Sequence, residues 1–289
     1  MTHTLLRDEP LARHTTWRVG GPAARFHRPA DRAALHAVLR ALPADEPLLW
    51  LGLGSNLLVS DQGFLGTVIQ LRGLNGIVQR DTRLWCEAGV AGAPLARYAA
   101  RAGLGGIEFL AGIPGTLGGA LAMNAGAWGD EIWSRVTRVW TIDRRGGEHE
   151  RLPCDFTIGY RHVVGPPGEW FLAAELALTP AEPAAVGARM RDLLAQRAAR
   201  QPIGQPSAGS VFRNPPGDYA ARLIDTAGLK GAREGDAEVS PKHANFIVNR
   251  GQARAADIDR LIRRVQQTVA ARHGVTLELE IHRIGVFDL

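Results

Sequence analysis

The sequence predicts an α+β fold with mixed sheets and at least two domains. Three observations carry that prediction. Short apolar runs of strand length recur between residues 48 and 178, among them LLWL at 48–51 and VTRVWTID at 136–143. Stretches with helical spacing interrupt them without a regular β–α alternation. A Pro/Gly/Ser-rich stretch, QPIGQPSAGSVFRNPPG at 201–217, then marks a change of character and a domain junction.

The elements follow in order. DRAALHAVLRAL at 31–42 reads as a helix with Asp31 as its N-cap and Pro43 soon after its end. LLWL at 48–51 and TVIQL at 67–71 read as strands flanking a glycine loop, and RLWCEAGV at 83–90 as another strand. APLARYAARAG at 93–103 reads as a helix stopped by Gly103. Residues 103–129 carry nine glycines, too many for ordinary helix or strand packing. Strands follow at 136–143 and 170–178, then a helix over 184–200 that ends before Gln201-Pro202. Past the junction come a short helix near 218–227, the strand NFIVN at 245–249 and a helix at 255–273. In that last helix Ile258, Leu261, Ile262, Val265 and Val269 form one apolar stripe and Gly274 a stop. TLELEIHRIGV at 276–286 alternates Leu277, Leu279 and Ile281 with Glu278, Glu280 and His282, the pattern of a half-buried strand.

Composition narrows the function. Apolar residues are 45% and charged residues 22%, a soluble globular balance. No apolar run reaches membrane-spanning length and no basic-then-apolar leader opens the chain, so a cytoplasmic protein without membrane contact is expected. Cys86 and Cys154 lack metal-ligand spacing, so no metal site and two reduced thiols are expected. Net charge is +5, but the basic residues are scattered, which argues against nucleic acid and fits a small anionic ligand.

GLGSNLL, opening at Gly52, starts like a dinucleotide fingerprint but has Leu57 where the third glycine should stand. It also lacks the long following helix and the acidic residue of a Rossmann unit. The alternatives are a hairpin turn and a nest of backbone N–H groups for a pyrophosphate, with Ser55 and Asn56 adding donors. A second glycine-rich stretch, FLAGIPGTLGGALAMNAGAWG at 109–129, favours the nest, because two separated loops imply an extended ligand.

GLGSNLLVSDQGF, AGIPGTLGGALAMNAGAWG, GYRHV, SAGSVFRNP, KHANFIVN and LELEIHRIG occur in that order. Together they resemble the UDP-N-acetylenolpyruvoylglucosamine reductase (MurB-type) flavoenzyme family of bacterial peptidoglycan synthesis. The resemblance runs from about Thr15 to Gly285. It implies a two-subdomain FAD-binding fold of the vanillyl-alcohol-oxidase/PCMH type plus a C-terminal α/β substrate domain. The expected divisions are 1–72 and 73–200 for the FAD subdomains and 201–275 for the substrate domain, with the last strand, 276–289, returning to 73–200. It implies non-covalent FAD, cradled at the pyrophosphate by Gly52, Gly54, Ser55, Asn56 and Leu57. Gly112, Ile113, Pro114, Gly115, Gly118, Asn124 and Gly126 would line the rest of the cofactor.

The implied reaction has two halves. NADPH reduces the flavin; the flavin then gives hydride to the vinyl carbon of UDP-N-acetylglucosamine enolpyruvate, and the adjacent carbon is protonated to give UDP-N-acetylmuramate. Three residues match the family's catalytic positions: Ser210 as proton donor, Arg161 as clamp for the enolpyruvyl carboxylate, and Glu280 beside the developing enolate. An arginine suits its role because a guanidinium stays charged and binds a carboxylate with two parallel hydrogen bonds. A serine is a poor acid and needs nearby positive charge or a relay. Tyr160, Asn214 and Lys242 are candidates for substrate contacts, with His243 and Asn245 behind them. Some family members carry an extra segment with a tyrosine before the catalytic serine. Only 48 residues separate Arg161 from Ser210 here, none of them tyrosine, so the chain is of the shorter-loop class. A monomer is the default expectation. The competing readings are another FAD oxidoreductase of the same fold and a non-catalytic nucleotide-binding protein.

Overall fold

The computed structural model describes residues 3–287. They form two compact units. The first holds residues 3–6, 25–53 and 66–196, the second 7–24, 54–65 and 197–287.

The first unit is built on a five-stranded antiparallel sheet. Its strand order is Glu148–Arg151, Val136–Asp143, Glu169–Ala177, Arg83–Glu87, Ile77–Arg80. A separate parallel pairing sets Leu48–Leu51 against Thr67–Gln70. Helix α1, Arg32–Ala41, starts where expected: the Asp31 carboxylate accepts the Ala34 N–H. Its Leu35, Val38 and Leu39 pack with Ile69, Ile142 and Leu172 in one core. Helix α2, Gly92–Arg101, buries Leu95, Ala96 and Ala99 in a second core with Leu84, Leu121 and Val139. The glycine-rich stretch is more regular than its composition predicts. After a 3-10 turn at Glu108–Gly112, residues Leu117–Ala122 form helix α3, N-capped by Thr116. Gly118 belongs inside it because a Cβ there would meet the Ala88 Cβ at 3.0 Å. Helix α4, Pro183–Arg200, closes the unit's sequence.

The second unit has its own core. Helix α5, Ala220–Thr226, and helix α6, Ala255–His273, pack with a three-stranded sheet of Arg233–Glu234, Ala237–Val239 and Ile247–Asn249. The predicted stripe of α6 is buried, and Gly274 ends the helix at φ 67°. Asp61, in the GSNLLVSDQGF stretch, accepts the Ala255 and Ala256 N–H groups at 2.9 Å each. A carboxylate there satisfies two of the helix's unpaired donors and suits the positive end of its dipole. Trp17 is fully buried; its Nε1 donates to the Ile247 carbonyl at 2.7 Å, and Asn249 donates to its own carbonyl at 3.0 Å.

The terminal segment departs from expectation in two ways. Leu277 and Ile281 are buried and Glu278 is exposed, as alternation requires, but regular pairing is confined to His282–Ile284. That strand runs parallel to Leu57–Val59, in the second unit, where a partner within residues 73–200 was expected. No helix of the described residues is long and apolar enough to cross a membrane.

Candidate active site

The first glycine loop is divided between the units: Gly52 belongs to the first, and Gly54, Ser55, Asn56 and Leu57 to the second. Both glycines answer a need inside the protein. A Cβ on Gly52 would stand 2.5 Å from Thr116 Oγ1. Gly54 has φ 62°, and a Cβ there would collide with the His14 carbonyl and lie 3.0 Å from Thr15 Cα. The Thr16 N–H donates to the Gly54 carbonyl at 3.2 Å. Close approach of chain to chain therefore demands these glycines before any ligand is considered.

Within the first unit lies a cavity of about 300 Å³. Gly52, Thr116, Gly118 and Gly119 supply backbone and hydroxyl to its wall, and Trp50, Leu71, Phe156 and Phe171 supply apolar surface. Trp50 Nε1 is buried without a partner among the described residues, and the Trp50 ring stacks on Trp170 at 5.0 Å. An apolar cavity walled by aromatic rings and glycines fits a planar heteroaromatic group, as FAD carries. Glu169 also lines it. Hydrogen bonds from Arg151 and then Thr141, opposed by burial, hold its carboxyl below the usual range. Of the residues expected at the cofactor, Gly52 and Gly118 are in this lining; Gly112, Ile113, Pro114 and Gly115 form the approach to α3 and are not. Trp50 and Glu169 were not foreseen. The only signal for Trp50 was its place on the strand leading into the loop.

Arg161 sits at the tip of a hairpin, Thr157–Gly159 paired with His162–Val164, with φ 52°. Its guanidinium donates to the Asn124 carbonyl at 3.3 Å and the Gly126 carbonyl at 2.7 Å, and lies 5.0 Å over the Tyr160 ring. Tyr160 is exposed. Asn124 is buried, with φ 41°. Its Nδ2 donates to Glu131 Oε2 at 2.7 Å and the Gly159 carbonyl at 3.1 Å, and its Oδ1 accepts the Trp133 N–H at 3.4 Å. Its carboxamide therefore bonds protein on every side.

In the second unit, the segment that follows Ser210 meets the segment that carries Glu280 in one isolated antiparallel bridge. The Glu280 N–H donates to the Val211 carbonyl at 2.8 Å and the Arg213 N–H to the Glu278 carbonyl at 2.9 Å, around the pair Phe212–Leu279. Gly209, at φ 78°, turns the chain immediately before Ser210, which is half-buried. Asn245 fixes this ladder from the other side: its Oδ1 accepts the Phe212 N–H and its Nδ2 donates to the Phe212 carbonyl. Asn56 Nδ2 donates to the Glu280 carbonyl at 3.0 Å, and the Asn56 carbonyl accepts the His282 N–H at 2.9 Å. The other expected substrate groups have partners of their own. Lys242 Nζ donates to the Ala198 carbonyl near the end of α4, and Asn214 Oδ1 accepts the Ala220 N–H that opens α5. His243 packs edge-on to Phe246 with its Nδ1 buried and unpaired; burial, then Lys230, lowers its pKa. Among the described residues no three His, Cys, Asp or Glu side chains group as metal ligands.

Comparison with known proteins shows what the chain is similar to. A profile of the UDP-N-acetylenolpyruvoylglucosamine reductase C-terminal domain matches residues 201–284, and one for an FAD binding domain matches residues 23–152. A UDP-N-acetylenolpyruvoylglucosamine reductase from Alkalilimnicola ehrlichii is 60% identical over 96% of this chain and 93% of its own. One from Nitrosococcus oceani is 59% identical over 95% and 93%. The crystal structure of the reductase from Thermus caldophilus, 38% identical, superposes with a TM-score of 0.85 over 99% of this chain and 100% of that one.

Proposed function

The chain belongs to the UDP-N-acetylenolpyruvoylglucosamine reductase family, and from that premise we propose that it reduces UDP-N-acetylglucosamine enolpyruvate to UDP-N-acetylmuramate for peptidoglycan synthesis. The observation that supports the site assignment is the bridge joining residues 211–213 to 278–280, which ties the segment that follows Ser210 to the segment that carries Glu280. When bound, FAD supplies the redox chemistry, accepting hydride from NADPH and delivering it to the terminal vinyl carbon.

The chain's own residues orient the substrate and place the proton. Arg161 clamps the enolpyruvyl carboxylate, on which negative charge grows as the double bond is reduced. Its cation is present before the charge develops, so no reorganisation opposes the step. Ser210 delivers a proton to the carbon next to the carboxylate, and Glu280 relays or offsets the charge that leaves it. Two hydrogens are added across the double bond, one as hydride and one as proton. Gly52, Gly54, Ser55, Asn56 and Leu57 hold the cofactor's pyrophosphate, with the 112–118 segment along its remainder. Residues 1–72 and 73–200 serve the cofactor and 201–275 the substrate. Tyr160 and Asn214, both exposed, contact the nucleotide sugar. The enzyme works as a monomer in the cytoplasm, where NADPH and nucleotide sugars are held.

Mass spectrometry of the product tests the assignment. Incubation with NADPH and the enolpyruvyl nucleotide gives a product heavier by two hydrogens, dependent on FAD. Unchanged substrate beside oxidised NADPH contradicts it.

A further inference from the structure

We propose that Asn124 is the positioning residue for Arg161, acting through Glu131 and the hairpin rather than by touching the cofactor. This rests on the reading of Arg161 as the carboxylate clamp.

Arg161 has two peculiarities. It stands in the left-handed region at a hairpin tip, and it is tethered by a pair of backbone carbonyls. Both carbonyls belong to the turn at 124–126. That turn is fixed by the Asn124 side chain, which bridges Glu131, Trp133 and Gly159. Gly159 is the last strand residue before the hairpin tip. One carboxamide thus sets the height of the hairpin through Gly159 while its own main-chain carbonyl fixes the guanidinium. Gly126 is held too: a Cβ there would collide with the Asp130 carbonyl and lie 2.8 Å from Glu131 Cγ.

The residue type follows from these demands. The position requires positive φ, which asparagine tolerates better than most side chains. It also requires two donors and one acceptor in a plane, which an aspartate cannot supply beside Glu131. With two of its five N–H groups held by carbonyls, the guanidinium is restrained from swinging.

A double-mutant cycle in the flavin-loaded enzyme tests this. Asn124→Gly keeps the backbone conformation and removes the carboxamide. The expected result is a KM for the enolpyruvyl nucleotide raised about tenfold. The FAD content and the anaerobic rate of flavin reduction by NADPH stay near wild type. Combined with Arg161→Ala, it adds almost nothing to the loss from Arg161→Ala alone, because both changes remove one interaction. Multiplicative losses overturn the inference, as does a fall in FAD content, which would make Asn124 a cofactor ligand. If Arg161→Ala leaves that KM unchanged, the clamp itself is misassigned and the inference falls with it. Should Asn124→Gly fail to fold, Glu131, half-buried on the strand Asp130–Glu131, carries the test. Glu131→Ala raises the same KM about threefold and Glu131→Gln, which keeps an acceptor, restores it; no change in either overturns the proposal.

Discussion

Replacing Gly54 by alanine tests whether the first loop is glycine-rich for packing. Two penalties add. The first is conformational: at φ 62° a side chain meets the steric cost of the left-handed region, about 1–2 kcal/mol. The second is overlap. The new Cβ would collide with the His14 carbonyl oxygen and lie 3.0 Å from both its carbon and Thr15 Cα. That segment cannot easily retreat, because Thr16 is bonded to Gly54 and the next residue, Trp17, is fully buried. Such overpacking costs about 1–3 kcal/mol. The total is roughly 2–5 kcal/mol, or a fall in Tm of roughly 3–8 °C for a chain of this size. Gly52→Ala is the control. Its Cβ would meet the Thr116 side chain, with Oγ1 at 2.5 Å and Cγ2 at 3.2 Å, but no backbone and no positive φ, so a loss of about 1–2 kcal/mol is expected. Both variants are melted free of FAD, so that a change in cofactor affinity does not enter the Tm. A Gly54→Ala protein that melts within about 2 °C of wild type, or above Gly52→Ala, refutes the packing argument.

Three further outcomes are expected. Trp17→Phe removes the 2.7 Å bond to the Ile247 carbonyl and lowers unfolding free energy by about 1–3 kcal/mol in urea titration; a change under about 0.5 kcal/mol would mean the carbonyl finds another donor. Burial, and then the charge of Lys230, holds His243 below the ordinary value of 6.5. The unfolded chain is therefore protonated first, and stability falls as pH drops below about 6.5 towards the folded value. His243→Asn flattens that slope in melts across the window; a parallel decline in both proteins assigns it to another group. Ser210→Ala leaves flavin reduction by NADPH intact and slows reoxidation by the enolpyruvyl nucleotide about 10²–10⁴-fold. Equal losses in both halves remove Ser210 as proton donor.

The helices were legible because their signals are local. Asp31 caps α1, Gly274 stops α6, and the stripe from Ile258 to Val269 is buried as its spacing requires. The terminal strand was half legible. Alternation reported which residues are buried, but pairing depends on a partner, and Leu57–Val59 is over two hundred residues away. The same distance hid Asp61 as the cap of α6. The glycine loops were found for a partly different reason from the one the structure supplies. Ligand approach and close chain approach both select glycine, and Gly54 against His14 is the second. Asparagines carry a role that local sequence did not show. Asn56, Asn124 and Asn245 read as ligand contacts because polar side chains in glycine-rich or loop segments so often are. Each also holds backbone of the segments that carry Glu280, Arg161 or Ser210, through partners remote in sequence. The bridge between the segments after Ser210 and before Glu280 was not legible, since no spacing rule links segments about 70 residues apart.

The central claim is tested most directly by anaerobic flavin spectroscopy. NADPH bleaches the flavin of the purified protein, and UDP-N-acetylglucosamine enolpyruvate is then added. The account predicts that the yellow absorbance returns only with that nucleotide, in a single turnover that forms UDP-N-acetylmuramate. A flavin that bleaches and stays reduced contradicts the substrate assignment, and a protein that binds no FAD contradicts the reading of both glycine loops.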